Sequence, residues 1–174
     1  MLSIRVVLLN GLLEDAAAEA AGAQLLALEE ADPDAPARLY VSSPGGDLTA
    51  GLALAGAVAG AGCPVWTLCM GQARGTALLV AASGAPGRRY ALPHTYLSLE
   101  LLPPSTATAA VLRRPEPEEL ERLRGLVAND LAARCGRPLA AVEADLRAGR
   151  VLTPEDAVAY GLIDRVVRSA GEIG

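Results

Sequence analysis

The sequence contains no phenylalanine and no lysine, and only one histidine and one tryptophan among its 174 residues. Aromatic residues amount to 3%, whereas hydrophobic residues amount to 52%. We therefore expect a packed globular protein with thin core layers and closely approaching backbones. All fifteen basic residues are arginine, which we ascribe to a GC-rich coding bias rather than to a role of arginine.

Cysteine, basic charge and long apolar runs are also scarce. Cys63, Cys69 and Cys135 show neither metal-ligand spacing nor an even disulfide framework, so we expect mostly buried free thiols in a reducing compartment. The net charge of −5 argues against a nucleic-acid partner. The longest Ala/Leu-rich stretch, 48–61, is interrupted by glycine and too short to cross a bilayer. With no signal-peptide pattern at the start, the sequence predicts a cytoplasmic protein without membrane partner, metal or cofactor.

Apolar runs alternate with helical patterns along the whole chain, which predicts an α/β protein with parallel βαβ units. Strands are predicted over 4–9, 38–42, 65–70, 89–92, 96–101 and 162–167, and helices over 14–30, 48–61, 77–82, 118–134, 139–147 and 154–160. A Pro-rich stretch, 103–117, interrupts the regular elements, and Pro117 suits the first position of the helix that follows. We expect one domain over 1–168 and a C-terminal tail over 169–174.

The stretch 69–77 is the organising feature of the sequence. We expect a buried strand to end at Met70, a turn at Gly71-Gln72 and a small-residue helix from Ala77. Such a strand-turn-helix junction aims one side chain and free backbone N–H groups at a ligand. The position where a nucleophile is expected holds Gly75.

Four motifs in the same order resemble those of the ClpP family, the proteolytic subunit of the ATP-dependent Clp protease. They are Ser43-Pro44-Gly45-Gly46, Cys69-Met70-Gly71-Gln72-Ala73, Gly87-Arg88-Arg89-Tyr90-Ala91-Leu92-Pro93, and Thr153-Pro154-Glu155-Asp156-Ala157 with Tyr160-Gly161-Leu162-Ile163-Asp164. The resemblance covers nearly the whole chain. It implies the ClpP/crotonase-like spiral of ββα units in a single domain, and subunits that stack as heptameric rings, usually two face to face.

The resemblance also places the family's Ser-His-Asp triad, and none of its side chains is intact. The serine position holds Gly75, the histidine position Glu100 and the aspartate position Gly149. Hydroxyl attack on a peptide carbonyl needs a neighbouring proton acceptor that is itself oriented by a third group. The only histidine, His94, lies six residues before the family position, roughly 20 Å away along an extended strand, so we expect it on the surface.

Other arrangements of the site stay open. Thr76 is the candidate for a rewired hydroxyl and Glu100 for its base. Neighbouring helix residues point about 100° apart, however, so the Thr76 side chain points in a different direction from a side chain at position 75. The backbone N–H groups of Gly46 and Thr76 are the candidates for the family's oxyanion hole. The alternative is that Gly45 and Gly46 simply form the turn that the fold requires. An oxyanion hole without a nucleophile also resembles the crotonases, which act on acyl-CoA thioesters.

Assembly is inferred from the resemblance alone. Family members receive loops of a Clp ATPase in an apolar groove, for which Tyr40, Tyr90 and Leu92 are the candidates here. The alternative is that these are ordinary half-buried side chains. The family's N-terminal pore loops are not seen before the first strand, and the prolines of 103–117 predict a weaker or different contact between rings.

The sequence therefore leads to one main hypothesis and two alternatives. The main hypothesis is a proteolytically inactive structural or regulatory subunit of a homo- or hetero-oligomeric Clp-type ring, with a Clp ATPase as a further partner. The first alternative is a Clp serine-type peptidase with rewired catalytic residues. The second is a module that binds peptides or acyl groups without cutting them, which the sequence alone does not separate from the main hypothesis.

Overall fold

The computed structural model describes residues 4–101 and 116–173. The strands are β1 Val6–Asn10, β2 Ala37–Ser43, β3 Val65–Arg74, β4 Arg89–Ala91, β5 Tyr96–Leu99, β6 Arg150–Leu152 and β7 Arg165–Val166. The helices are α1 Asp15–Ala31, α2 Leu48–Gly60, α3 Thr76–Ala82, α4 Pro117–Cys135, α5 Leu139–Ala148 and α6 Pro154–Tyr160, followed by a 3₁₀ turn, Ala170–Ile173. The expected irregular stretch 103–117 lies, apart from its last two residues, outside the described residues.

The strands form one sheet, which confirms the predicted α/β fold. Strands β1, β2, β3, β4 and β7 lie side by side and pair in parallel. Strand β5 pairs in parallel with the second half of β3, and β6 pairs antiparallel with β5. The long β3 therefore has β4 beside its first half and β5 beside its second half. This branching brings the end of β5 next to the end of β3, where the site lies.

The prediction that β3 ends at Met70 is wrong. The strand continues to Arg74, and the expected Gly71-Gln72 turn is a local irregularity within it. Gly71 has φ +70°, which a glycine adopts without strain. The pairing of β2 with β3 shifts register between Val41 and Ser43, opposite this point. The irregularity therefore shifts the register without ending the strand.

Two further predictions are corrected. The run 162–167 forms only the two-residue strand β7, because Leu162 and Ile163 pack in the core at the end of α6 instead of pairing. Strand β6 has no alternating pattern long enough to be noticed in the sequence, and its antiparallel pairing with β5 departs from an all-parallel sheet. The helix starting at Pro117 is confirmed, with proline in its first turn.

One face of the sheet carries the helices and the main core. On β2, Leu39 and Val41 are fully buried on this face, while Tyr40 between them points to the other face and is half-buried. Helices α1 to α4 supply the opposing apolar side chains. Cys63 and Cys69 are buried free thiols, as expected, and Cys135 is partly exposed. Burial raises the pKa of the Cys69 thiol to about 12, so it stays protonated and unreactive.

The second face carries a smaller apolar group, here called the outer cluster. It consists of buried Leu68, Tyr90, Val167 and Ile173, with half-buried Tyr40, Trp66, Leu92 and Ala170 around them. The residues 169–174, expected as a tail, thus include the 3₁₀ turn that places Ile173 in this cluster.

Candidate active site

The junction between β3 and α3 is a sharp turn centred on Gly75. Its φ of +50° and ψ of −115° are strained for any residue with a side chain. The Gly75 N–H donates to the Ser98 carbonyl of β5 at 2.9 Å, and its own carbonyl accepts from Leu79 N–H at 3.1 Å. A Cβ atom at this position would lie 2.3 Å from the Glu100 carbonyl oxygen. The backbone has the geometry that presents a nucleophile, but the Glu100 carbonyl, just after the end of β5, fills the space that a side chain would need.

Thr76 begins α3 and is 1% exposed. Its hydroxyl oxygen accepts a hydrogen bond from the Gly46 N–H at 3.1 Å. A Cβ atom on Gly51 of α2 would lie 2.4 Å from the Thr76 Cβ, so the threonine side chain fits only because α2 has a glycine there. The structure thus brings the two oxyanion-hole candidates together, with the hydroxyl of one bonded to the amide of the other.

The turn that presents Gly46 is held against the loop after β1. The Gly45 carbonyl accepts from Leu13 N–H at 3.0 Å, and the Leu13 carbonyl accepts from Asp47 N–H at 2.8 Å. A Cβ atom on Gly46 would lie 2.3 Å from the Leu13 carbonyl oxygen, so this close approach requires glycine. Asp47 then caps α2 by accepting from Ala50 N–H. These contacts fix the direction of the Gly46 N–H.

Glu100, which the resemblance places at the family's histidine position, forms an ion pair with Arg74 of β3. The Arg74 side chain is 25% exposed and that of Glu100 is 44% exposed. The Arg74 guanidinium also lies over the Tyr96 ring, 5.5 Å from its centroid. The Glu100 carboxylate is therefore paired with a cation. The hydroxyl oxygen of Thr76, the second candidate for a rewired site, accepts the Gly46 N–H.

Gly149 ends α5 with φ +63°, a left-handed conformation that suits a helix C-terminus. A Cβ atom there would lie 3.7 Å from Glu100 Cγ. Position 149 therefore adjoins position 100, and position 100 adjoins position 75 through its carbonyl. The structure collects the three triad positions of the resemblance into one place, but two of them carry no side chain.

The remaining sequence candidates lie elsewhere. His94 is exposed in the turn between β4 and β5, in keeping with the expected surface position. Tyr40, Tyr90 and Leu92, the groove candidates, come together in the outer cluster. Within residues 4–101 and 116–173, no group of three His, Cys, Asp or Glu side chains is arranged to hold a metal ion. The helices of the same ranges include none with the length and apolarity needed to cross a membrane.

Arg74 was not found from the sequence, and Ser98 was considered there only for its place two residues before Glu100. Arg74 lies opposite Ser98 in the β3–β5 pairing, and this register puts its guanidinium within reach of Glu100 two residues further on. Ser98 is fully buried, and its hydroxyl finds no hydrogen-bond partner among the described residues. The pairing of β3 with β5 was the missing signal, because the predicted end of β3 at Met70 left Arg74 in a loop.

Comparison with known proteins shows one family that spans nearly the whole chain. The family model of the Clp protease matches residues 1–170, a range that includes positions 75, 100 and 149. The ATP-dependent Clp protease proteolytic subunit 4 of Streptomyces avermitilis is 35% identical to this chain over 164 residues. That similarity covers 94% of this chain and 73% of the relative.

Proposed function

We propose, since the chain belongs to the Clp protease family, that it is a proteolytically silent, structural or regulatory subunit of a cytoplasmic Clp-type ring. The observation that carries this proposal is Gly75. Gly75 lies at a turn whose backbone angles are those that present a nucleophile. It has no side chain, so it offers no oxygen or sulfur to attack a carbonyl.

The surroundings of Gly75 support the same conclusion. A working hydroxyl needs a free proton acceptor, and Glu100 at the adjacent position is paired with the Arg74 guanidinium. The third position, Gly149, has no carboxylate to orient a base. Attack by Thr76 is disfavoured too, because its oxygen already accepts the Gly46 N–H and its side chain is enclosed by α2.

The direct experiment has two separate arms on the purified chain: an assay with casein and a short fluorogenic peptide, and, on another sample, labelling with a fluorophosphonate probe. We expect neither label nor product. A catalytically competent Clp proteolytic subunit, prepared in the same way, is the positive control, and Thr76→Val and Glu100→Gln are the matched variants. Turnover that persists through repurification and is abolished by either substitution would establish the rewired peptidase instead.

The assembly part of the proposal is tested separately. We expect sedimentation of the chain, alone or mixed with a competent Clp proteolytic subunit, to reveal a ring-sized species containing this chain. A monomer under both conditions would remove the ring-subunit role and leave the family assignment unaffected. Saturable binding of a peptide at the Gly46 turn without product would favour the non-cleaving binding module.

A further inference from the structure

A row of three side chains crosses the sheet where β3, β5 and β6 lie side by side. Arg74 of β3 pairs with Ser98 of β5, and Ser98 pairs with Val151 of β6. Residues that pair across neighbouring strands place their side chains on the same face of the sheet. Tyr96 and Glu100, two residues before and after Ser98, lie on that face too, since both contact Arg74. These five side chains are here called the branch surface.

Arg74 is the one cation among these five side chains, and its hydrogen bonding is incomplete. One terminal nitrogen, Nη2, donates to the Glu100 carboxylate. The Nε atom is buried and has no acceptor in the part of the chain that the structure describes. A guanidinium presents five N–H donors in a planar fork that fits two carboxylate oxygens at once. Arg74 therefore retains donors that Glu100 does not use.

Ser98 is a second polar group without a partner at the same place. It is fully buried, and its hydroxyl makes no hydrogen bond within residues 4–101 and 116–173. Buried hydroxyls are normally hydrogen-bonded, because leaving one unpaired costs free energy. An unpaired hydroxyl beside an incompletely bonded guanidinium indicates a place for a ligand that carries oxygen atoms.

The rest of the branch surface is apolar and open to solvent. The Tyr96 ring lies 5.5 Å from the guanidinium carbon of Arg74 and is 45% exposed, and Val151 is 55% exposed. An aromatic ring and an aliphatic side chain next to a cation suit an organic anion that carries an apolar group. Inorganic phosphate suits the surface less well, because it has no apolar group to place on Tyr96 and Val151.

Glu100 already fills part of this site as an internal carboxylate. Its side chain is 44% exposed, and that of Arg74 is 25% exposed. An ion pair with this much exposure is weak, because water and salt screen it. A carboxylate from solution therefore competes with Glu100 at a small disadvantage.

We propose that the branch surface binds a carboxylate that carries an apolar group, with Arg74 as the anchor and Glu100 as an internal competitor. The C-terminus of a short peptide and a free aliphatic acid share this chemistry. The inference rests on the proposed function, because a ligand bound next to Gly75 is then held and not turned over. Peptide hydrolysis by competent subunits is the class of reaction that would supply such carboxylates.

Titration calorimetry of the full chain with N-acetylleucine tests the proposal, because this probe has a carboxylate and an aliphatic side chain. We expect saturable binding that weakens as salt is raised. N-acetylleucine amide, which lacks the charge, should bind at least roughly tenfold more weakly. A third probe, 4-methylpentanoate, is an aliphatic acid without the amide group. Tighter binding of N-acetylleucine assigns the site to peptide C-termini, and equal or tighter binding of 4-methylpentanoate assigns it to free aliphatic acids.

Variants of the ion pair should change the affinity for N-acetylleucine in opposite directions. Arg74→Gln removes the anchor and should weaken binding at least roughly tenfold. Glu100→Gln removes the competitor and should tighten binding about two- to fivefold, the range that a partly exposed ion pair allows. Arg122→Gln and Glu119→Gln break an exposed ion pair on α4 and are the matched controls, which should bind as the unchanged chain does. If Arg74→Gln unfolds the protein, Arg74→Lys replaces it, since it keeps the charge but not the fork.

Four results would overturn the inference. They are no binding of N-acetylleucine, equally tight binding of inorganic phosphate, equal affinity in the Arg74 variant and the unchanged chain, and unchanged or weaker binding by Glu100→Gln. The proposed function fails on a different measurement. A fluorophosphonate adduct would contradict the silent subunit, whereas a missing calorimetric signal would contradict only the carboxylate site.

Discussion

The Thr76 hydroxyl oxygen lies 3.1 Å from the Gly46 nitrogen and accepts its N–H hydrogen bond. Gly46 and Thr76 are the two residues whose backbone N–H groups the resemblance assigns to an oxyanion hole. In this chain the Thr76 hydroxyl already accepts the hydrogen bond of the Gly46 N–H, one of the two donors of that hole. The hydroxyl thus takes the place that a substrate carbonyl oxygen would take at Gly46.

Removing this acceptor is expected to destabilise the protein and free the amide. Thr76→Val keeps the shape of the side chain but leaves the Gly46 N–H without its acceptor, which should cost about 1 to 2 kcal/mol of unfolding free energy. Amide hydrogen exchange at Gly46 should become roughly tenfold faster. Thr76→Ser is the control, because it keeps the hydroxyl, and Gly46 should remain protected in it. Equal exchange rates in the two variants would show that the hydrogen bond is not what protects Gly46.

The packing of Thr76 against α2 gives a prediction with an internal control. In Gly51→Ala the new methyl would meet the Thr76 Cβ at 2.4 Å, so the helix must shift, and we expect a loss of about 1 to 2 kcal/mol. Gly56→Ala lies on the same helix in open space and should gain roughly 0.5 to 1 kcal/mol. Urea unfolding measures both. A stabilising Gly51→Ala would mean that α2 and Thr76 are not in this contact.

Placing a serine at position 75, where the resemblance locates the family's nucleophile, is not expected to give an active protease. Gly75→Ser combines a left-handed φ with a Cβ that meets the Glu100 carbonyl at 2.3 Å, so it should cost about 2 to 4 kcal/mol. Gly87→Ser has a similar φ of +78° and no atom within 4 Å, and should cost about 1 kcal/mol. The difference in unfolding free energy isolates the contact with Glu100. Peptide hydrolysis by the Gly75→Ser protein would contradict the view that the base is lost as well.

The sequence predicted the α/β class and the order of most elements, but not the true end of β3, strand β6 or the contacts of the site. Gly45, Gly46 and Gly75 were predictable because their motifs are local and each glycine meets a backbone requirement of its own turn. The Arg74–Glu100 pair was not, because it depends on the register between β3 and β5 rather than on neighbouring residues. The burial of Ile173 was missed for the same reason, since a short polar tail gives no sign of the surface it packs on.

Acid should weaken the fold through Asp164. Burial works to raise the pKa of this carboxyl, but the hydrogen bonds and charge of Arg89 outweigh it, and the net pKa lies below the ordinary 3.8. A carboxylate with a lowered pKa stabilises the folded state above its unfolded pKa and loses that contribution as pH falls through the folded value. We expect unfolding free energy to decline below about pH 4. The measurement is urea unfolding from pH 7 to pH 3.

Asp164→Asn tests the assignment of this pH dependence. It should lower stability at pH 7 by about 1 to 3 kcal/mol, because Arg89 loses its charged partner and only one of the two acceptor oxygens remains, and should flatten the decline in acid. Asp34→Asn, on an exposed loop, is the control and should retain the full decline. An equal slope in the wild type and Asp164→Asn would place the acid sensitivity elsewhere.

The central claim is that this chain has no reactive nucleophile at the junction of β3 and α3. Its most direct test is the intact mass of the purified protein after prolonged exposure to excess fluorophosphonate, with a competent Clp proteolytic subunit treated alongside. We predict an unchanged mass for this chain and one adduct on the control protein. An adduct on Thr76 that disappears in Thr76→Val would contradict the claim.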